Sequence, residues 1–189
     1  MEMSNKYYKS IAAGLLIGLG AWIYLMCPDR TIGALLFSCG LLGVRIYNLN
    51  LYTGKIQYAI KKNEYKWYDY FIFLGGNLIG IVFMALSTEF TLPENATTLG
   101  EIKTQMPFLT SLIRGVGCGA LMSLATNKKT PFWITSLCVA TFILAGFNHC
   151  IADAYYILIS GNTLGISWVG TLLGNTIGGI IFSEILSEA

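Results

Sequence analysis

The chain has 189 residues, of which 54% are hydrophobic and only 12% are charged, with a formal net charge of +2 at pH 7. A soluble domain carries about 25% charged residues, so this composition excludes an ordinary water-facing surface. The small net charge gives no basis for a nucleic-acid partner. Crossing a bilayer takes about 20 apolar residues per helix, and apolar runs of that order recur along the whole chain. They predict an all-α membrane protein forming one transmembrane domain over residues 1–189.

The first run, about 9–27, closes at Cys27-Pro28-Asp29 and has no small-residue cleavage site, so it reads as a retained helix. The second, about 31–51, ends at "LYTGK", where Thr53-Gly54 is expected to break the helix before a short amphipathic piece to about 63. The third spans about 67–88 and is followed by the polar stretch "STEFTLPENATTLGEIKTQM", read as a loop. The fourth covers about 107–126, the fifth about 131–159 and the sixth about 164–186. The fifth is too long for one span and contains "AGFNHCIAD", so a break is expected near His149. Cys27, Cys39, Cys118, Cys138 and Cys150 show no CxxC or metal-ligand spacing and read as small hydrophobes. No metal or cofactor is expected.

Basic residues set the orientation. Lys6 and Lys9 precede the first run, Lys55, Lys61, Lys62 and Lys66 follow the second, and Lys128 and Lys129 follow the fourth. The other side carries Arg30, Lys103 and Arg114, diluted by Asp29, Glu89, Glu94 and Glu101. The positive-inside rule then places both termini in the cytoplasm, in a multi-pass protein of the cell's inner membrane. "GNLIG" (76–80) in the third run returns as "GNTIG" (174–178) in the sixth. Three spans separate the two, which makes Asn77 and Asn175 equivalent positions of an inverted 3+3 repeat, about 9–88 and 107–186. Inverted repeats with interrupted helices, here the second and fifth, mark transporters and channels.

An ionisable residue within a span is costly and faces a cavity or a partner. His149 is the only histidine, and Asp153 follows one turn later. Asp153 either reaches the ring on the same helix face or turns away to another helix or the pore. Thr53 either caps the second half-helix or contributes its hydroxyl to the pore. Lys103, read on its own, is a loop lysine. A nucleophilic enzyme built on Cys150, His149 and Asp153 is disfavoured, because adjacent residues on a helix point in different directions; the chain reads as no enzyme.

The same residues carry a resemblance to the formate/nitrite transporter family. "LNLYTG" resembles its second-helix motif of an acid followed by Leu-Phe-Thr-Gly, and "GFNHCIADAYY" its fifth-helix Gly-Phe-Glu-His-Ser-Val-Ala-Asn-Met. "LIRGVGCGALMSLA" resembles its Arg-Gly-Ile-Leu-Cys-Asn pattern, and "VGTLLGNTIGG" its last-helix Gly-Asn-x-x-Gly-Gly. The resemblance runs from about residue 9 to 186. It implies a six-helix, aquaporin-like protomer with helices two and five broken, assembled as a homopentamer with one pore per protomer. It implies that His149 is the central pore histidine, Thr53 the threonine it faces and Lys103 a vestibule lysine. It also implies that Phe37, Leu41, Leu51, Tyr52 and Phe142 form the apolar constriction. This sequence departs from the motifs at Asn50, Asp153, Gly119 and Tyr52, which removes two amides near the central site and adds a carboxylate.

The expected function is passage of small monovalent anions (formate, nitrite, hydrosulfide or short carboxylates), proton-linked through His149, with the bilayer, the anion and protons as partners. An anion loses several kcal/mol of solvation in a dry constriction, and protonation removes most of that cost. The competing reading is a pore for neutral solutes such as ammonia, hydrogen sulfide or water, with His149 as a hydrogen-bonding post.

Overall fold

In the computed structural model, which describes residues 3–60 and 64–188, the regular elements among the described residues are all helical. In chain order the α-helices are α1 (Met3–Met26), α2 (Arg30–Ile46), α3 (Tyr52–Lys55), α4 (Trp67–Thr88), α5 (Thr97–Gln105), α6 (Phe108–Thr126), α7 (Phe132–Leu144), α8 (Cys150–Ile159) and α9 (Ile166–Glu188). Of these, α1, α4, α6 and α9 are long and apolar enough to cross a membrane. The other two expected spans are each split, into α2 with α3 and α7 with α8. Lys61 and Lys62 lie outside the described residues.

Both splits are made by one local device. At the end of α2, Tyr47 N–H donates to the Gly43 carbonyl (3.0 Å) and Leu49 N–H reaches back to the Val44 carbonyl (2.9 Å). Between them Asn48 adopts a left-handed backbone, φ 47°. At the end of α7, Ala145 N–H donates to Thr141 (2.9 Å), Phe147 N–H reaches back to Phe142 (2.9 Å), and Gly146 is left-handed, φ 71°. A left-handed residue with a long back-reaching hydrogen bond is the Schellman stop, which satisfies the last carbonyls of a helix. Glycine and asparagine take that conformation with least strain. The chain then runs extended for a few residues before a second helix starts.

The expected break at Thr53-Gly54 is therefore displaced. The interruption covers 47–51, and Thr53 and Gly54 lie inside α3. Gly54 serves close approach, since a Cβ there would stand 3.1 Å from Thr126 Cγ2. The piece after it is a 3-10 turn, Ile56–Tyr58. The stretch expected as a loop before α6 contains the helix α5. Gly100 lets α5 lie directly on the backbone of α8, at the Tyr156 carbonyl, where any side chain would collide.

The α1–α4 and α6–α9 pairs pack backbone to backbone through small residues, the usual means of close approach between membrane helices. Gly14 leaves room for the Asn77 carbonyl, and Gly119 does the same for the Asn175 carbonyl. The short helices α3 and α8 are held between these pairs, and the buried core there includes Phe37, Leu41, Leu51, Phe73, Ile151 and Tyr155.

Candidate functional site

Two buried asparagines hold the short helices in place. Asn77 Oδ1 accepts from the Tyr52 N–H (2.8 Å), 25 residues earlier, while its Nδ2 donates to the carbonyls of Ser10 (2.8 Å) and Asn50 (2.9 Å). Asn175 Oδ1 accepts from the Cys150 N–H (2.8 Å), also 25 residues earlier, and its Nδ2 donates to Gly115 (2.9 Å) and Asn148 (2.8 Å). Asn50 and Asn148 each precede their clamp by 27 residues. Each amide thus meets backbone groups that the helix break has left without partners, and an unpaired buried group costs about 1–3 kcal/mol.

The clamps bring α3 and α8 together. His149 sits at the N-cap of α8, and its Nδ1 accepts from the Ala152 N–H (3.2 Å). A ring nitrogen that accepts carries no proton, so this bond assigns the neutral tautomer with its proton on Nε2. Nε2 lies 2.9 Å from Thr53 Oγ1, which then accepts and keeps its own hydroxyl proton free for another acceptor. Phe142 stacks on the imidazole at 5.6 Å with 16° between planes, and Phe37 meets Phe142 edge-on at 6.1 Å. Thr53 does not cap α3; the N-cap is Leu51, and it has no side-chain cap bond.

Lys103, on α5, is buried, with 7% exposure. Its Nζ donates to Asn148 Oδ1 (2.6 Å) and the Phe147 carbonyl (3.4 Å) and pairs with Asp153 Oδ1 (3.1 Å). The Asn148 amide is oriented by its own donation to Thr171 Oγ1 (3.1 Å). Asp153 therefore reaches Lys103 rather than the ring of His149, and its second oxygen, Oδ2, has no hydrogen-bond partner among the described residues.

Two cavities adjoin the short helices, one at His149 of the α8 cap and the other at Gly54 and Lys55 of α3. One, of about 180 Å³, is lined by Lys103, Asp153, His149, Phe142, Arg114 and Arg30 among others. The other, of about 330 Å³, is lined by Leu51, Gly54, Arg45, Lys55, Tyr58 and Lys128 among others. Phe37, Leu41, Leu51, Tyr52 and Phe142 are all buried; Phe142 lines the first cavity and Leu51 the second. The Tyr52 hydroxyl bonds to Thr176 Oγ1 (2.8 Å). Sequence reasoning did not single out Asn148, Arg45 or Lys55 as site residues. The repeated Asn at 50 and 148, each just ahead of a short helix, was the available signal for the first.

A family model described as "Formate/nitrite transporter" matches residues 1–187. The nitrite transporter NirC of Salmonella typhimurium is 29% identical over 57% of this chain and 48% of its own length. The formate channel FocA of Escherichia coli strain K12 is 23% identical over 80% of this chain and 64% of its own. The chain thus spans about half of the first relative and under two thirds of the second. Among solved structures, a pentameric formate channel with formate bound superposes with a TM-score of 0.80 at 21% identity, covering 98% of this chain and 96% of that one. An FNT family ion channel gives 0.81 at 22%, covering 98% and 89%.

Proposed function

The chain belongs to the formate/nitrite transporter family, and on that premise we propose that it is an inner-membrane channel for small monovalent anions, coupled to protons. Formate, nitrite, hydrosulfide and short carboxylates are the substrate class. The family and the structural neighbours are transporters and channels. The observation that carries the reading is the His149–Thr53 hydrogen bond, set between two short helices with a basic cavity against each helix.

Two features support a protomer built as an inverted 3+3 repeat: the matched asparagine clamps and the paired Schellman stops. The pentameric neighbour supports assembly as a homopentamer with one pore in each protomer. The lysines of the loops that flank the N-terminal side support cytoplasmic termini. The anion is drawn into the cavity at Lys103, where the amino end of α8 adds partial positive charge. It is protonated in the cavity bordered by His149, since desolvation disfavours its charged form. The neutral acid then crosses Phe142, Phe37, Leu41, Tyr52 and Leu51, guided by the His149 and Thr53 polar groups, and ionises again beyond them.

Flux into liposomes tests this, with formate, nitrite, hydrosulfide, acetate, lactate and ammonium at two pH values. Saturable anion uptake that quickens at the lower pH is the expected result. Transport of ammonium or water alone would establish the neutral-solute reading instead.

A further inference from the structure

Resting on the anion reading above, we propose that Asp153 is the proton-loading group of the pathway, handing its proton to the permeating anion in the cavity before His149. Three observations carry this. Asp153 is only 3% exposed, and yet it lines the cavity. Its Oδ1 is spent on Lys103, while Oδ2 has no hydrogen-bond partner among the described residues, although a buried carboxylate oxygen ordinarily has one. His149, the other titratable candidate, has both nitrogens engaged: Nδ1 accepts from a backbone N–H and Nε2 faces Thr53. Lending a proton from His149 would break the bond that places it.

The groups facing Asp153 are the cations Lys103 on α5, Arg114 on α6 and Arg30 on α2. The others are Tyr24 on α1, Cys118 on α6, and His149, Cys150 and Tyr156 on α8. Among the described residues no second carboxylate lines the cavity. When an anion enters beside Lys103, two negative charges share that one close ammonium, which favours uptake of a proton by one of them. Oδ2 takes it from a hydronium ion on the cavity side, whose O–H bond breaks as the Oδ2–H bond forms and which leaves as water. The Oδ2–H bond then breaks as the bond from the proton to the anion's oxygen or sulfur forms. Asp153 is left as the carboxylate, balanced by Lys103, and the neutral acid moves on. One anion and one proton enter together, so the step carries no net charge.

The test is Asp153→Asn, which keeps shape and restores the amide of the family motif, in protein shown by size-exclusion chromatography to be assembled as wild type. Formate uptake is followed with a proton-sensitive dye, with and without an imposed membrane potential. In the wild type we expect one proton per formate and indifference to potential. In Asp153→Asn we expect loss of proton coupling, a response to potential and a KM for formate lower by about tenfold, the effect of removing one like charge from the site. Asp153→Glu, which retains an acid, should restore coupling. Unchanged proton stoichiometry and pH profile in assembled Asp153→Asn, with wild type carrying formate, would overturn the assignment alone. A wild type that carries no anion would overturn the channel reading and this one with it.

Discussion

The two helix breaks are built alike and used differently. Each ends in a Schellman stop, at Asn48 and at Gly146, and each short helix is fastened by an asparagine 25 residues further on. Yet the residue just ahead of the clamped N–H is Leu51 in one half and His149 in the other. Lys6, whose carbonyl accepts from Asn50 in the first break, pairs its Nζ with Asp69 (2.5 Å) on α4, whereas Lys103, whose Nζ donates to Asn148 in the second, pairs with Asp153 on the short helix itself. The scaffold is duplicated while the polar chemistry is concentrated in one half. A duplicated frame thus positions backbone groups twice, and single substitutions on it decide which polar side chains stand at each break.

The largest effect expected is loss of the frame. Asn77→Leu and Asn175→Leu each remove three hydrogen bonds and strand buried backbone groups, at about 1–3 kcal/mol apiece. Both should abolish recovery of the assembled protein in detergent, and to similar degrees. A half that tolerates the change would break the equivalence of the two clamps.

A smaller effect sharpens the contrast between the cavities. Lys103→Ala leaves the Asp153 carboxylate buried and unpaired, a change that costs about 3–5 kcal/mol when one partner of a buried pair is lost. Anion flux should fall by about tenfold or more at every salt concentration. Lys55, in the other cavity, donates to Asn48 Oδ1 (3.1 Å) and stands over the Tyr65 ring at 5.5 Å, with no buried carboxylate paired to it among the described residues. Lys55→Ala should therefore reduce flux only a few-fold and chiefly at low salt, where screening is weakest. Equal, salt-dependent losses would make both lysines simple anion attractors.

The smallest effect concerns Tyr52, which stands where the family motif has phenylalanine. Its hydroxyl bonds to Thr176 on α9. Tyr52→Phe removes one hydrogen bond of about 1 kcal/mol. It should lower the melting temperature by about 2–4 °C and leave formate flux within a factor of two. A large change in flux would give the hydroxyl a role in the pathway.

The six apolar runs and the break at His149 were legible because hydrophobic length and an intramembrane histidine are strong, local signals. The first break was misplaced because glycine reads as a breaker, while Gly54 serves contact with Thr126 and the stop is made by Asn48. Helix α5 was hidden because it is polar, with no apolar periodicity of its own, and is held by Gly100 against α8. Its placement turns Lys103 from a loop residue into a buried partner. The carboxylate of Asp153 was seen as a departure from the motif, but its partner lies 50 positions back in a segment read as a loop. With Lys103 located, the departure has a reason. The motif has an acid at 148 and an amide at 153; here Asn148 and Asp153 exchange those types, and both still reach Lys103.

The clamps also bear on how the chain is assembled as it is made. Every partner of the Asn77 amide lies between Ser10 and Asn77, and every partner of Asn175 lies between Gly115 and Asn175. Neither lock borrows a group from the other half. Since chains fold from the amino end during synthesis, the first lock can close around α3 before the second half leaves the ribosome. What must wait are contacts such as Thr53 with His149, which joins residues 96 positions apart. The contacts between the halves, Tyr52 with Thr176 included, then join two parts that can each close on their own.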